Sequence, residues 1–155
     1  MSGALYDEDA LAWAEQQAGL LRGIAGGERL NDAVDWSNVI DEVQDVGLSE
    51  LRACRSLLRH ALAHLLNPHA RPAGNAVGHW RGEVAGFLSD ARDRYTPSMR
   101  QRIDMAELYA DALYEIGASA DESGPALPLP RTCPFSLDEL LAPRTDVGVL
   151  VSRLR

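Results

Sequence analysis

The chain has 155 residues, 46% of them hydrophobic, with 23 acidic and 15 basic side chains for a formal net charge of −8; every base is an arginine. A chain of this length forms one ordinary domain that buries about 70% of its unfolded surface, and its apolar fraction excludes a disordered polypeptide. The acidic balance argues against a nucleic-acid or anionic-membrane partner, which needs a basic face.

The first residues, Met1-Ser-Gly-Ala-Leu-Tyr-Asp-Glu-Asp, turn acidic at once and contain no basic or apolar leader, so a cytoplasmic protein is expected. The longest apolar stretch, Ala61 to Leu66, is interrupted by His64 and falls well short of the ~18–20 residues of a membrane span. Cys54 and Cys133 are too few and too far apart for a metal knuckle or disulfide scaffold.

Helical periodicity dominates the first three quarters. A first helix is predicted from about Asp7 to Arg22 on the stripe Leu11, Ala14, Ala18 and Leu21, with Asp7, Glu8 and Asp9 in its first turn and Gly26-Gly27 as its stop. A short second helix follows Asp35 as N-cap, burying Trp36, Val39, Ile40, Val43 and Val46 and ending at Gly47. Ser49 then caps a third, Glu50 to Asn67, on Leu51, Cys54, Leu58, Ala61 and Leu65. After a loop at Pro68-His-Ala-Arg-Pro-Ala-Gly-Asn, a fourth starts near Asn75 with Val77, Trp80, Val84, Phe87, Leu88 and Ala91 inward. Thr96-Pro97 opens a fifth, which runs to Gly117 with Met99, Ile103, Leu108, Ala112, Leu113 and Ile116 buried. Residues 118–134 read as a Pro-rich strap, and Ser136-Leu-Asp-Glu139 as a capping box opening a short C-terminal helix. Val147–Val151 fits either helix or strand. The expected fold is an all-α, single-domain bundle of four to five helices spanning 1–155, with a helical core at about 7–117 and a terminal helix and tail at 135–155.

The charge is segregated. Residues 1–50 hold 11 acids against Arg22 and Arg29, a net of −9; residues 51–102 hold nine arginines against three acids, a net of +6; residues 103–155 hold nine acids against four arginines, a net of −5. Complementarity between helices accounts for this, each exposed pair contributing ~0–1 kcal/mol. A weaker alternative is an anion or RNA patch built from Arg52, Arg55, Arg59, Arg71 and Arg81, although it lacks lysine and interleaved aromatics.

Three stretches carry a resemblance: Tyr6-Asp-Glu-Asp9 with Trp13, Glu15-Gln-Gln-Ala18 and Leu20-Leu-Arg22; the block Asp35 to Leu66, notably Asp35, Asn38, Ile40, Glu42, Val43, Gly47, Leu51, Ser56, Leu57, Leu62, His64, Leu65 and Leu66; and Trp80-Arg81. Together with Cys133-Pro-Phe-Ser136 before a short helix, they resemble the bacterial domain-of-unknown-function 29 family. The resemblance covers nearly the whole chain and implies an all-helical bacterial domain with no established activity. The chain departs from the family pattern after Leu66, where Asn67-Pro68-His69 replaces a basic and aromatic run, and in its Gly-rich Arg71–Gly78 loop.

Few residues suggest chemistry. His60 and His64 are four apart and project to one helix flank, as two-histidine metal sites do, with Asp41 or Glu42 and His79 or Glu83 as further candidate ligands. The glutamate of HExxH is absent, and no metal is favoured. Glu42 is expected to be half-buried and therefore paired. A polar cluster of Asn38, Glu42, His64, Trp80 and Arg81 is the candidate site, either a network that fixes helix register or a grip for a small polar ligand. Ser49 and Ser56 have no local base, Cys133 has no nearby cation, and no phosphate loop, dinucleotide fingerprint or EF-hand occurs. No cofactor is expected. The leading reading is a non-catalytic module whose partner is another protein or a second copy, since Leu127, Leu129, Val149, Leu150 and Val151 read as spare apolar groups. The alternative is a metal- or ligand-binding bundle using His60, His64 and Glu42.

Overall fold

The computed structural model describes residues 2–67, 76–119 and 129–154. Its elements are α1 (Ser2–Glu8), α2 (Ala10–Ala25), α3 (Trp36–Leu66), α4 (Ala76–Arg94), α5 (Met105–Ser119), α6 (Leu137–Leu140) and α7 (Val147–Ser152), with 3-10 turns at Asn31–Ala33 and Pro97–Arg102. No strand occurs among the described residues, in line with the expected all-α class. None of these helices is long and apolar enough to cross a membrane. The backbone divides into two compact units, Met1–Ser49 and Glu50–Arg155.

In the first unit the predicted opening helix is two helices. Asp9 breaks it by turning out of helical geometry, and its carboxylate accepts the Ala12 N–H as the N-cap of α2. The inward face is also rotated from the expected one. Trp13 (4% exposed) and Gln17 (3%) are buried, whereas Leu11 is 71% exposed. An indole removes more apolar area from water than any residue of the expected stripe, so it sets the phase. Gly26-Gly27 ends α2 as expected. The Gly26 N–H bonds to Arg22 O, and Gly27 adopts φ +94°, a conformation that strains any other residue.

The predicted second and third helices are one. α3 passes through Gly47 and Ser49 without interruption. A mid-helix glycine costs about 1 kcal/mol, and the apolar period stays in phase across it, with Val43, Gly47, Leu51 and Cys54 recurring at helical spacing. Burial along that stripe is not uniform. Leu51 to Leu66 belongs to a core, whereas Trp36 (44%), Ile40 (54%), Val43 (70%) and Val46 (69%), expected to be buried, are exposed.

The core of the second unit gathers Cys54, Leu58, Leu62, Leu65 and Leu66 of α3, Trp80, Val84, Leu88 and Ala91 of α4, and Leu108, Tyr109 and Ala112 of α5. Met99 joins it from a 3-10 turn and Ile103 from the extended residue after it, where a continuous fifth helix was expected; Asp104 then restarts the helix, its Oδ1 accepting the Ala106 and Glu107 N–H groups. The terminal segment is part of this core. Phe135, Leu137, Leu140, Val147, Leu150 and Leu154 are buried, and Leu129 and Val151 pack against them. Of the groups expected to be spare, only Val149 among the described residues is exposed; Leu127 lies outside them, as do Arg71 and most of the strap. Val147–Ser152 is helical because Asp146 caps it, accepting the Gly148 and Val149 N–H groups.

Hydrogen bonds tie the tail down: Arg92 Nη1 to Ala142 O (3.1 Å), Tyr109 OH to Pro130 O (2.5 Å), and Arg100 Nη2 to Asp138 Oδ1 (2.5 Å). The predicted capping box is present. Glu139 accepts the Ser136 N–H (2.9 Å) and also pairs with Arg153. The Ser136 N–H first, and Arg153 second, hold the Glu139 carboxyl below the usual carboxylate range, and Arg100 does the same for Asp138. A folded-state value below the unfolded one means that the stabilisation is complete above the unfolded value, near pH 4.3 for glutamate, and is lost as pH falls through the folded value. The melting-temperature gap between the wild type and Glu139→Gln is therefore expected to be widest near neutral pH and to close in acid. A constant gap from neutral pH to about pH 3 would refute that linkage.

Candidate functional site

The candidate residues fall in two groups. Asn38 and Glu42 sit on the first turns of α3, in the N-terminal unit; His64, Trp80 and Arg81 sit on the end of α3 and the start of α4, in the second.

Within the N-terminal unit a polar network is present, with partners other than those expected. Asn38 Nδ2 donates to Asp35 Oδ2 (2.7 Å), and the Trp13 indole N–H donates to the same oxygen (3.2 Å). The Asp35 N–H donates to Gln17 Oε1 (2.9 Å). Half-buried Glu42 is indeed paired, accepting the Tyr6 hydroxyl at 2.6 Å. That bond, ahead of desolvation, raises the Tyr6 phenol above its ordinary value. Tyr6 in turn meets Trp13 edge-to-face at 4.9 Å. Four of these residues, Tyr6, Trp13, Gln17 and Asp35, are absent from the predicted site, because bonds that join segments 18 to 36 residues apart leave no periodic trace. The available signal was Gln17 recurring four after Trp13, a polar side chain on the face the indole defines.

In the second unit His60 and His64 flank the Phe87 ring of α4 edge-to-face, with centroids at 5.5 and 5.2 Å, and His64 Nδ1 lies 3.2 Å from the His60 carbonyl. His79 pairs with Glu83 on its own helix at 3.6 Å. Among the described residues no three His, Cys, Asp or Glu side chains assemble into a metal set. Trp80 is a core residue, 5% exposed, whose indole N–H has no partner among the described residues. Arg81 reaches the start of α7, its Nη2 lying 3.7 Å from where a Cβ on Gly148 would stand.

The cysteines are poor nucleophiles here. Burial raises both thiols; Cys54 Sγ donates to Ala91 O and Cys133 Sγ to Phe135 O.

The central arginines line a cleft of about 210 Å³ between α3 and α5, bounded by Arg52, Arg55, Ser56, Arg59, Leu108 and Asp111. Arg55 pairs with Glu107 at 3.1 Å, and Arg59 Nε lies 3.5 Å from Glu115, close enough for an ion pair but too poorly aligned for a hydrogen bond. Most of the positive stripe is therefore matched by carboxylates on α5, as expected from the charge layout. Arg52 and Asp111, both exposed, make no ion pair or hydrogen bond among the described residues.

The family described as Domain of unknown function DUF29 matches residues 5–145. A crystal structure of an alpha-helical protein of unknown function from Rhodospirillum rubrum ATCC 11170 is similar to this chain, with 30% sequence identity, a TM-score of 0.67 and 96% of each chain covered. No curated protein matches.

Proposed function

The chain belongs to the Domain of unknown function DUF29 family, and on that premise we propose that it works as a non-catalytic interaction module whose partner is a second copy of itself. The observation that carries this reading is the uncovered start of the α3 stripe: Trp36, Ile40, Val43 and Val46 are all 44–70% exposed. A contiguous apolar face of this kind on a water-exposed helix marks a protein contact.

The flanks argue for self-association. At 100° per residue, Ile40, Val43 and Gly47 lie within about 40° of Trp36, and the neighbours on one side are Ser37 and Gln44. Asp41 and Asp45 fall roughly 140–180° away, on the far side of the helix. Glu42 is engaged with Tyr6. Two copies related by a twofold axis can thus join their stripes without bringing carboxylates together, despite the −9 charge of residues 1–50. A lysine-rich partner would find little charge at the rim to meet.

Light scattering over a dilution series is expected to give a dimer mass that falls to the monomer on dilution. Val43→Asp should hold the chain monomeric at every concentration while leaving its helical signal intact, because Val43 is 70% exposed. A monomer mass for the wild type at the highest concentration would end this reading.

A further inference from the structure

We propose that the cleft between α3 and α5 binds a small zwitterion, its carboxylate held by Arg52 and Arg55 and its ammonium by Asp111. At about 210 Å³ the cleft is the smaller kind of ligand site, below the ~300–1,000 Å³ of pockets for drug-sized molecules, so the ligand is of amino-acid size. One wall carries the guanidinium groups of Arg52, Arg55 and Arg59 and the Ser56 hydroxyl; the other carries Asp111; Leu108, 2% exposed, adds an apolar surface.

The two walls are of opposite sign, and two cross-pairs close, Arg55 with Glu107 and Arg59 with Glu115. Arg52 and Asp111 are the charges left over, and they line the same cleft with no ion pair or hydrogen bond to each other or to another described residue. An anion alone would gain the arginines but face the Asp111 carboxylate. A cation alone would gain Asp111 but face the unmatched Arg52 guanidinium. A molecule carrying both charges satisfies both walls. Arg55 remains available despite Glu107, since a guanidinium has five N–H donors and the planar fork suits a carboxylate.

The experiment is a titration of the full-length chain with glycine, 4-aminobutyrate and 6-aminohexanoate, read by NMR shifts of the backbone amides of residues 52–59 and 108–111. Acetate and butylamine serve as single-charge halves. At least one zwitterion is expected to saturate these shifts at about 10 mM or below. Arg52→Ala and Asp111→Asn should each weaken it roughly three- to fivefold, in keeping with exposed charge pairs, and acetate and butylamine should bind more weakly still. Both substituted residues are exposed, so the variants should melt as the wild type does. The proposal is overturned by the absence of saturable shifts with all three zwitterions, by acetate binding as tightly as the best of them, or by Asp111→Asn leaving that affinity unchanged.

Discussion

Leu58→Ala is expected to destabilise the chain by about 3 kcal/mol, within the ~2–5 kcal/mol range for truncating a buried leucine. Leu58 is fully buried at the middle of the α3 stripe, between Cys54 and Leu62 of its own helix, in a core shared with α4 and α5. Truncation forfeits the transfer free energy of three carbons and leaves a cavity that well-packed neighbours cannot fill. Against a typical total of ~5–15 kcal/mol the loss is large, and for a chain of this size it lowers the melting temperature by about 6–12 °C. Urea denaturation followed by helical circular dichroism measures it. Val43→Ala, fifteen positions earlier on the same stripe, is the control. With 70% of the side chain exposed, its cost in dilute protein should stay within about 0.5 kcal/mol. Equal losses from the two substitutions would refute the assignment of one half of α3 to a core and the other half to solvent.

That contrast also marks where sequence reasoning stopped. Period-3.6 patterning identifies a face, not what lies against it, so Trp36-Ile40-Val43 and Leu51-Cys54-Leu58 look alike as strings although only the second is buried. Gly47 and Ser49 were legible as stop signals, but each costs a helix little, and an uninterrupted apolar phase outweighed them. In α2, alanines and leucines drew a plausible stripe, and a single tryptophan rotated the helix away from it. Where a signal was local it held. The Ser136–Glu139 capping box, the Gly26-Gly27 stop and the helix over α4 are all present. The need of Glu42 for a partner was likewise readable from its place beside apolar positions. The identity of that partner, Tyr6, depended on how a distant segment folds back. The unmatched pair Arg52 and Asp111 was not legible at all, because it is defined by which cross-helix pairs close first.

The second large effect is expected at Asp35, where truncation to alanine should cost about 2–3 kcal/mol. Its Oδ2 accepts both the Trp13 indole N–H and the Asn38 amide, while its own N–H is held by the buried Gln17. Alanine keeps the backbone bond but strands the indole N–H of a residue that is only 4% exposed. An unsatisfied buried donor costs about 1–3 kcal/mol, and removal of the aspartate from the position just before the first residue of α3 adds up to about 1 kcal/mol. Asp35→Asn retains an oxygen for the indole and should recover more than half of the loss. Amide hydrogen exchange reads the result locally: protection in α2 and the first turns of α3 should fall roughly 30- to 150-fold in Asp35→Ala, the factor that 2–3 kcal/mol implies. Exchange unchanged in α2 would mean that Asp35 does not join Trp13 and Gln17 to α3. A drop of the same size in Asp35→Asn would mean that charge, rather than the indole's need for an acceptor, sets the strength of the network.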